Sequence, residues 1–419
     1  MKRALLNLLR IYGVIAIVFG LIFLGGFVQD DANKKKLSWF GEFVYTLTHP
    51  SEIADYFNEE VSYSNLYRRP ADGKITQRKD SFLNKYYLTT SYFRNDSFYA
   101  QKLLVPTDSL VATFTISQKD VYKDIYDSSW SLDGPDIFYP ELTQTRPMHF
   151  LFEGNEVVFS ASNGPLYCYN WQSKKREWLN QDYIFHHSIE KDSSGALWAC
   201  GLTKNEHAMH ILNYVVVNVD QSTGKTMFNK SIYDIMKQSE ELKKLSFFGN
   251  SYARKDIHHL NDVQPIYTEN GLELLISIRD MNLILRYDPE ADTLLDYSIG
   301  LGQKQHDVDY YNGNIYVFSN NDPHYFVGKE FNTINYQSLE KMRSDCTQYF
   351  HLDWFEKNRP YTVHQGQQEI LNDSTFMVEE TEVGLLYLIE GDKERQYCYP
   401  HPEDGAWVSM LGWSRFESF

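Results

Sequence analysis

From Ser81 onward the chain is written in short runs of alternating apolar and polar residues. Tyr86-Tyr87-Leu88-Thr89-Thr90-Ser91-Tyr92, Lys102-Leu103-Leu104-Val105 and, after a turn at Pro106-Thr107-Asp108, residues 109–116 carry the two-residue period of strands with one buried face. A larger unit then recurs: an alternating strand, a short apolar strand, an Asp or Asn, a turn, and a third strand. It is clearest at 276–279, 283–288 and 292–297, and again at 156–160, 165–170 and 175–178, and at 375–378, 384–389 and 395–399. Units of roughly 45–50 residues have the size of propeller blades. Residues 231–245 break the pattern. Ile232, Ile235, Met236, Leu242 and Leu245 fall at helical spacing among charges, which predicts a helical insertion in an otherwise all-β domain.

Laid over these strands is a second repeat. His186-His187-Ser188-Ile189 leads to Gly195-Ala196-Leu197-Trp198, His258-His259-Leu260-Asn261 to Gly271-Leu272-Glu273-Leu274, and His306-Asp307-Val308 to Gly313-Asn314-Ile315-Tyr316. Each copy sets an imidazole near a turn glycine and the apolar strand that follows it. If the strands belong to successive blades, these imidazoles converge on one end of a central channel. A chain with only 13 histidines rarely arranges them so by chance.

Composition changes this picture in three ways. At 419 residues the chain can bury a large core, and its 31 Tyr and 26 Phe suit a sheet-rich protein. A net charge of −16 without a Lys/Arg stripe argues against nucleic acid, and means that an anionic substrate must be held by a local group of cations. Residues 11–28 form an uncharged, mostly apolar run after Lys2, Arg3 and Arg10, without a clear cleavage site. We therefore expect a signal anchor at 1–29 crossing the inner membrane once, a stalk over 30–79 with a short amphipathic helix near 40–57, and a single exported β domain at 80–419, in the periplasm or outside the cell. Cys168, Cys200, Cys346 and Cys398 permit disulfides there, but their spacing does not pair them.

The candidate chemistry lies in the histidine elements. His306, in Gln305-His306-Asp307, is either a satisfied strand-end histidine or a nucleophile, and its membership in a repeat favours the second. Arg279 closes an apolar strand and needs an anionic partner, either Asp280 or a bound oxyanion that its planar fork would grip. A three-histidine zinc site ranks behind this, because a guanidinium at the same rim repels a dication. His149 and His364 are further residues that could face the channel. Nucleotide-binding glycine loops and serine-nucleophile elbows are absent from the sequence.

In their order, these elements resemble the bacterial arylsulfate sulfotransferases, exported six-bladed β-propellers. That family carries a His-His-Asp element, then Asp-Trp-x-His-x-Asn, Ser-Ser-Arg, and Gln-His-Asp before a Gly-Asn strand. Here the corresponding segments are His186-His187-Ser188, Asp256-Ile257-His258-His259-Leu260-Asn261, Ser277-Ile278-Arg279, and Gln305-His306-Asp307 with Gly313-Asn314. Ile257 replaces the Trp, Ile278 separates Ser277 from Arg279, and Ser188 stands in place of Asp, which marks a divergent branch. The resemblance implies that His306 takes the sulfuryl group while His187, His259, Asn261 and Arg279 surround its oxygens, with His186 and His258 on the substrate side. It implies no cofactor and no nucleotide donor. The donor would be a small-molecule sulfate ester and the acceptor a phenolic or sugar hydroxyl. The alternative is a non-catalytic propeller that serves as a binding module in cell-envelope or surface-polysaccharide assembly.

Overall fold

The computed structural model describes residues 66–68, 81, 85–94, 97–117, 119–121, 147–161, 164–203, 212–248, 256–321, 331–344, 347–362, 365–399, 407–409 and 411–419. The anchor expected at 1–29, the helix expected near 40–57, His364 and Cys346 lie outside these residues. Among the described residues no helix is long and apolar enough to cross a membrane.

The described chain is almost entirely antiparallel sheet. After β1 (Leu66–Arg68) come β2 (Tyr86–Arg94), β3 (Ser97–Leu104) and β4 (Ser109–Ser117). One seven-stranded sheet follows, made of β5 (Pro147–Glu153), β6 (Glu156–Ala161), β7 (Gly164–Asn170), β8 (Arg176–Lys191), β9 (Leu197–Leu202), β10 (Tyr214–Val219) and β11 (Thr226–Ser231). Next are the four-stranded meanders β12 (Leu260–Thr268), β13 (Gly271–Ile278), β14 (Leu283–Asp288) and β15 (Thr293–Ile299), then β16 (His306–Tyr311), β17 (Asn314–Ser319), β18 (Thr333–Ser338) and β19 (Gln348–Phe350). The last meander is β20 (Gln367–Asn372), β21 (Thr375–Glu380), β22 (Leu385–Glu390) and β23 (Lys393–Cys398). β24 (Trp407–Ser409) returns to pair with β1, and β25 (Arg415–Ser418) pairs with β2 to complete that sheet in the order β25-β2-β3-β4. The arrangement is a β-propeller. The insertion expected at 231–245 is a pair of short helices, α1 (Ile232–Met236) and α2 (Glu240–Phe248), and α3 (Leu352–Asn358) sits between β19 and β20.

Why these runs pack as stacked blades is visible in β13. Leu274, Ile276 and Ile278 point into a core shared with β8, β9 and β10, whereas Leu275 points into a core shared with β16 and β17. A strand with period 2 buried on both faces is mostly apolar, and the two buried polar residues of β13 are satisfied, Glu273 by Arg286 and Ser277 by Gln305. The hairpin from β16 to β17 turns on Asn312 (φ +47°) and Gly313 (φ +77°), the Asn-Gly pair that tolerates two successive left-handed residues.

The innermost strands pack in succession around the channel: β5 against β8, β8 against β12, β12 against β16, β16 against β20, β20 against β25, and β2 against β5. Each would leave a row of backbone donors unpaired on its channel side. Side chains from the preceding inner strand accept them. The N–H of Ile189 donates to His149 Nδ1 (2.9 Å), that of Val263 to Ser188 Oγ (3.2 Å), that of Val308 to Asp262 Oδ2 (2.7 Å) and that of Gln368 to Asp307 Oδ2 (2.8 Å). Asp309 repeats the step with Ile370, and Glu369 accepts from the Phe416 backbone. Arg415 of β25 then reaches Glu190 and lies 3.1 Å from His149 Nε2, which joins the last inner strand to the first.

Asp262, Asp307 and Asp309 are buried, and Glu369, half-buried, feels the guanidinium of Arg415. Burial, and then the charge of Glu190, pushes Asp262 up to about 7. Burial pushes Glu369 up to about 8 against the opposing pull of Arg415. Glu369 therefore holds its proton in the folded domain at neutral pH, whereas Asp262 stands near its midpoint there. Replacing Asp262 with Ala strands the buried Val308 N–H, which should cost about 1–3 kcal/mol of stability. A denaturant midpoint equal to that of the parent would show that these links do not hold the ring.

Candidate active site

Backbone irregularities aim the site. The ladders bordering β8, β12 and β16 slip between His186 and Ile189, between Leu260 and Asp262, and between His306 and Val308. Each slip is a bulge, the device by which a strand redirects one side chain out of its alternation. His187 (φ +55°) and Asp307 (φ +52°) lie in the left-handed region within two of them. The residue after His187 and the residue after His306 are linking residues of the ring, so satisfying the next strand and presenting an imidazole are one local event.

Three elements of the sequence meet here. His187 Nε2 and His259 Nε2 are 3.0 Å apart. The His187 ring lies 5.1 Å from that of His186, 5.2 Å from His259 and 6.1 Å from His306, between centroids. Arg279 is tied in by its backbone, whose N–H donates to the His259 carbonyl (2.9 Å), and its charge is felt at His187. The remaining predicted residues take other places. Asn261 is buried and donates from Nδ2 to the Gln305 carbonyl (2.7 Å), which fixes the backbone just before His306. The ring of His258 lies against Tyr233 of α1 (6.3 Å). Ser277 belongs to the support, accepting from Gln305 Nε2.

Two of the imidazoles are oriented by different chemistry. His259 Nδ1 donates to Asp256 Oδ2 (2.7 Å); although burial pushes Asp256 up, the charge and hydrogen bond of His259 keep it below the usual carboxylate range. His306 Nδ1 faces Asn320 Oδ1 (2.8 Å). The Asn320 amide cannot turn round, since its Nδ2 donates to the Gln365 carbonyl (2.7 Å) and the Thr362 carbonyl (3.1 Å). Oδ1 is an acceptor only, so His306 carries its proton on Nδ1. Nε2 then holds the lone pair, which accepts the Gln365 backbone N–H (3.2 Å).

At the mouth His186 and His187 are neutral imidazoles beside the cations Arg279 and Lys304. Burial, then His186, His259, His306 and Arg279, hold His187 well below the usual imidazole range; burial and His259 bring His186 down to about 3. Arg279 binds Asp280 (2.7 Å), the plainer of its two expected partners, but Asp280 also takes Lys304 Nζ (2.9 Å). Burial pushes Asp280 up, yet these two cations outweigh it and hold it well below the carboxylate range. Two cations on one carboxylate bring Arg279 and Lys304 together where an incoming anion can meet them, with the ionised Asp256 behind His259 offsetting their remaining charge. His186 Nε2 and His187 Nδ1 are buried with no partner, so the cluster is short of ligand contacts. Among the described residues no group of three or more His, Cys, Asp or Glu side chains is arranged to hold a metal ion. Cys168 and Cys200 are buried thiols outside the site, and burial followed by Glu156 pushes Cys168 up to about 12.

Sequence reasoning passed over Lys304, Asn320 and the roles of Asp256 and Asp280. Lys304 stands two residues before His306, a signal of proximity that went unused. Asn320 comes from the far end of the next strand, and nothing in its surroundings marks it.

Fold and site together define a β-propeller whose mouth is lined by imidazoles and biased toward anions. The family model described as arylsulfotransferase (ASST) matches residues 161–399, more than half of the chain, and the chain belongs to that family. No curated protein matches the sequence. Solved structures similar to it include a protein of unknown function from Bacteroides caccae (11% identity, 78% of this chain and 98% of that one, TM-score 0.44). BamB from Moraxella catarrhalis (8%, 75% and 73%, 0.36) and the Pan2 WD40 domain of Neurospora crassa (13%, 78% and 78%, 0.39) are others.

Asn320→Leu should release the His306 tautomer: 15N spectra are expected to show an Nε2–H form, with about 1–3 kcal/mol of lost stability from the stranded Nδ1–H. A pure Nδ1–H spectrum would sink the assignment. The buried groups also set a pH response. Histidines held low lose stability only as pH falls below their unfolded value of 6.5. Carboxylates held high keep protons that the unfolded chain has released, so their contribution is lost as pH rises. Between 6.5 and about 8, where Glu369 lets go its proton, the melting temperature should therefore fall, and Glu369→Gln should flatten that slope. A parental melting temperature that rises over this interval would contradict it.

Proposed function

We propose that this protein moves a sulfuryl group from an aryl sulfate, or a related sulfate ester, to a hydroxyl acceptor through a sulfo-histidine at His306. The observation that carries the reading is the His306 ring, its proton fixed on Nδ1 by Asn320 and its centroid 6.1 Å from that of His187 in the cluster with His259 and Arg279. Attack requires its Nε2 lone pair to leave the Gln365 N–H that it accepts at rest. Sulfuryl transfer, like phosphoryl transfer, passes through a loose transition state with charge spread over the outer oxygens. Fixed donors around those oxygens and an in-line nucleophile then supply most of the catalysis.

In the first step Nε2 bonds to sulfur as the sulfur–aryl oxygen bond breaks, and the phenolate leaves with the bonding pair. In the second the acceptor oxygen attacks sulfur, the nitrogen–sulfur bond breaks, and the acceptor's proton passes to a base. His259, backed by Asp256, is suited to give a proton to the first oxygen and take one from the second. Family membership supports the sulfate chemistry, and the histidine-only nucleophile is consistent with a reaction that needs no nucleotide donor.

We extend the proposal to architecture and place. Six blades follow if the seven-stranded sheet is two blades sharing β8: its first half pairs continuously with β7 up to Asn180, with one further pair of Gly164 and Phe185 after a register shift, and its second half pairs with β9 from Ile184. The apolar run after Lys2, Arg3 and Arg10 supports an anchor at 1–29 and a stalk over 30–79, with the propeller outside the cytoplasm.

Incubating the full chain with a 35S-labelled aryl sulfate should label His306, and a phenol should then remove the label in ping-pong fashion. His306→Asn should lose the label and more than about 10³-fold of turnover. Parental turnover in that variant would rule out the nucleophile, and capture of a specific envelope partner by an unlabelled, inactive parent would favour a binding module.

A further inference from the structure

One residue beside the imidazoles bears two costs that the fold does not explain. Trp413 has φ +43°, a left-handed backbone that a bulky side chain rarely adopts. It is held there by its neighbours. Gly412 N donates to the Ser91 carbonyl (2.9 Å), Ser414 N to Glu379 Oε2 (2.7 Å), and Ser414 Oγ to Thr90 Oγ1 (2.8 Å). Strain fixed so firmly from both sides is a mark of functional positions.

The second cost is polar. Trp413 is only 7% exposed, and its indole Nε1 is buried with no acceptor. Four other indoles are satisfied: Trp171 donates to the Gly154 carbonyl, Trp178 to the Gln221 carbonyl, Trp198 to Asp192 and Trp354 to Glu394. An orphaned buried donor among satisfied ones calls for a missing partner. Its position says which kind. The Trp413 ring lies 6.1 Å from that of His187, whose Nδ1 is also unpartnered, and 6.0 Å from that of His149. Next to His187 stands the orphaned Nε2 of His186. Arg279 and Lys304 bias the same mouth toward anions.

We propose that Trp413 is a catalytic residue of this site, its indole N–H donating to an oxygen of the sulfuryl group while its ring walls off His187. The inference rests on the sulfuryl-transfer reading above and adds a contact from outside the segment that the family model covers, 161–399. An indole N–H is a donor that neither gains nor loses its proton near neutrality, so it can serve only an acceptor atom. Sulfate oxygens are all acceptors. The ring-closing segment that carries Arg415 onto Glu190 thus also delivers the fourth wall of the pocket.

The test uses the full chain and inorganic sulfate as the probe. Trp413→Phe keeps an aromatic ring and the same backbone demand but removes the donor. Calorimetry should show sulfate binding weakened about 10-fold, and turnover of the aryl sulfate should fall about 10²-fold or more at an unchanged melting temperature. In the parent, indole 15N–1H spectra should show one resonance moving as sulfate is added, a readout that needs no variant. A Trp413→Phe protein with parental sulfate affinity and turnover, or a parent in which no indole resonance responds, overturns this proposal while leaving sulfuryl transfer intact. A parent that neither binds sulfate nor transfers it overturns both.

Discussion

The molecule depends on how the channel-facing edges of its inner strands are satisfied. A blade's first strand has a neighbour on one side only, so its other row of backbone donors faces its counterparts around the channel. Here a side chain of each inner strand reaches the backbone of the next, through His149, Ser188, Asp262, Asp307 and Glu369 in turn. Apolar cores between sheets supply most of the burial, but they are non-directional and tolerate sliding. Directional bonds at the centre set the angular register of the blades. The site inherits that register because His187 and His306 immediately precede the linking residues Ser188 and Asp307.

Ser188, where the resemblance drawn from the sequence expects Asp, accepts the Val263 N–H as Asp262 and Asp307 accept theirs. The position asks for an acceptor, not a charge. Deeper in the channel the acids share Arg415 and keep protons, so that the network is compatible with burial.

Much of this was legible in the sequence because it is periodic. The units at 276–279, 283–288 and 292–297 announced the strands of a blade, Gly313 announced a turn before a strand, and the spacing of 231–245 announced a helical insertion among strands. The repeated histidines could be read as convergent since one formula at blade intervals implies one end of a channel. Other features were invisible for physical reasons. Asn320 and Trp413 act through tertiary placement by the far end of a strand and by the closing segment, and no local pattern encodes that. His258 shares its tetrapeptide with His259, yet its ring meets Tyr233 of an inserted helix whose position no strand periodicity foretells.

The two oriented imidazoles differ in what stands behind them, and the difference has a chemical consequence. A carboxylate behind a ring pushes electron density toward the far nitrogen and makes it more basic, the arrangement His259 has from Asp256. An amide behind His306 steers without pushing. A nitrogen of modest basicity is a ready leaving group, so a passenger carried on it stays loosely held and energetically poised. Such a carrier can load from one weakly activated oxygen ester and unload to another of nearly equal standing, in whichever direction the surrounding concentrations favour.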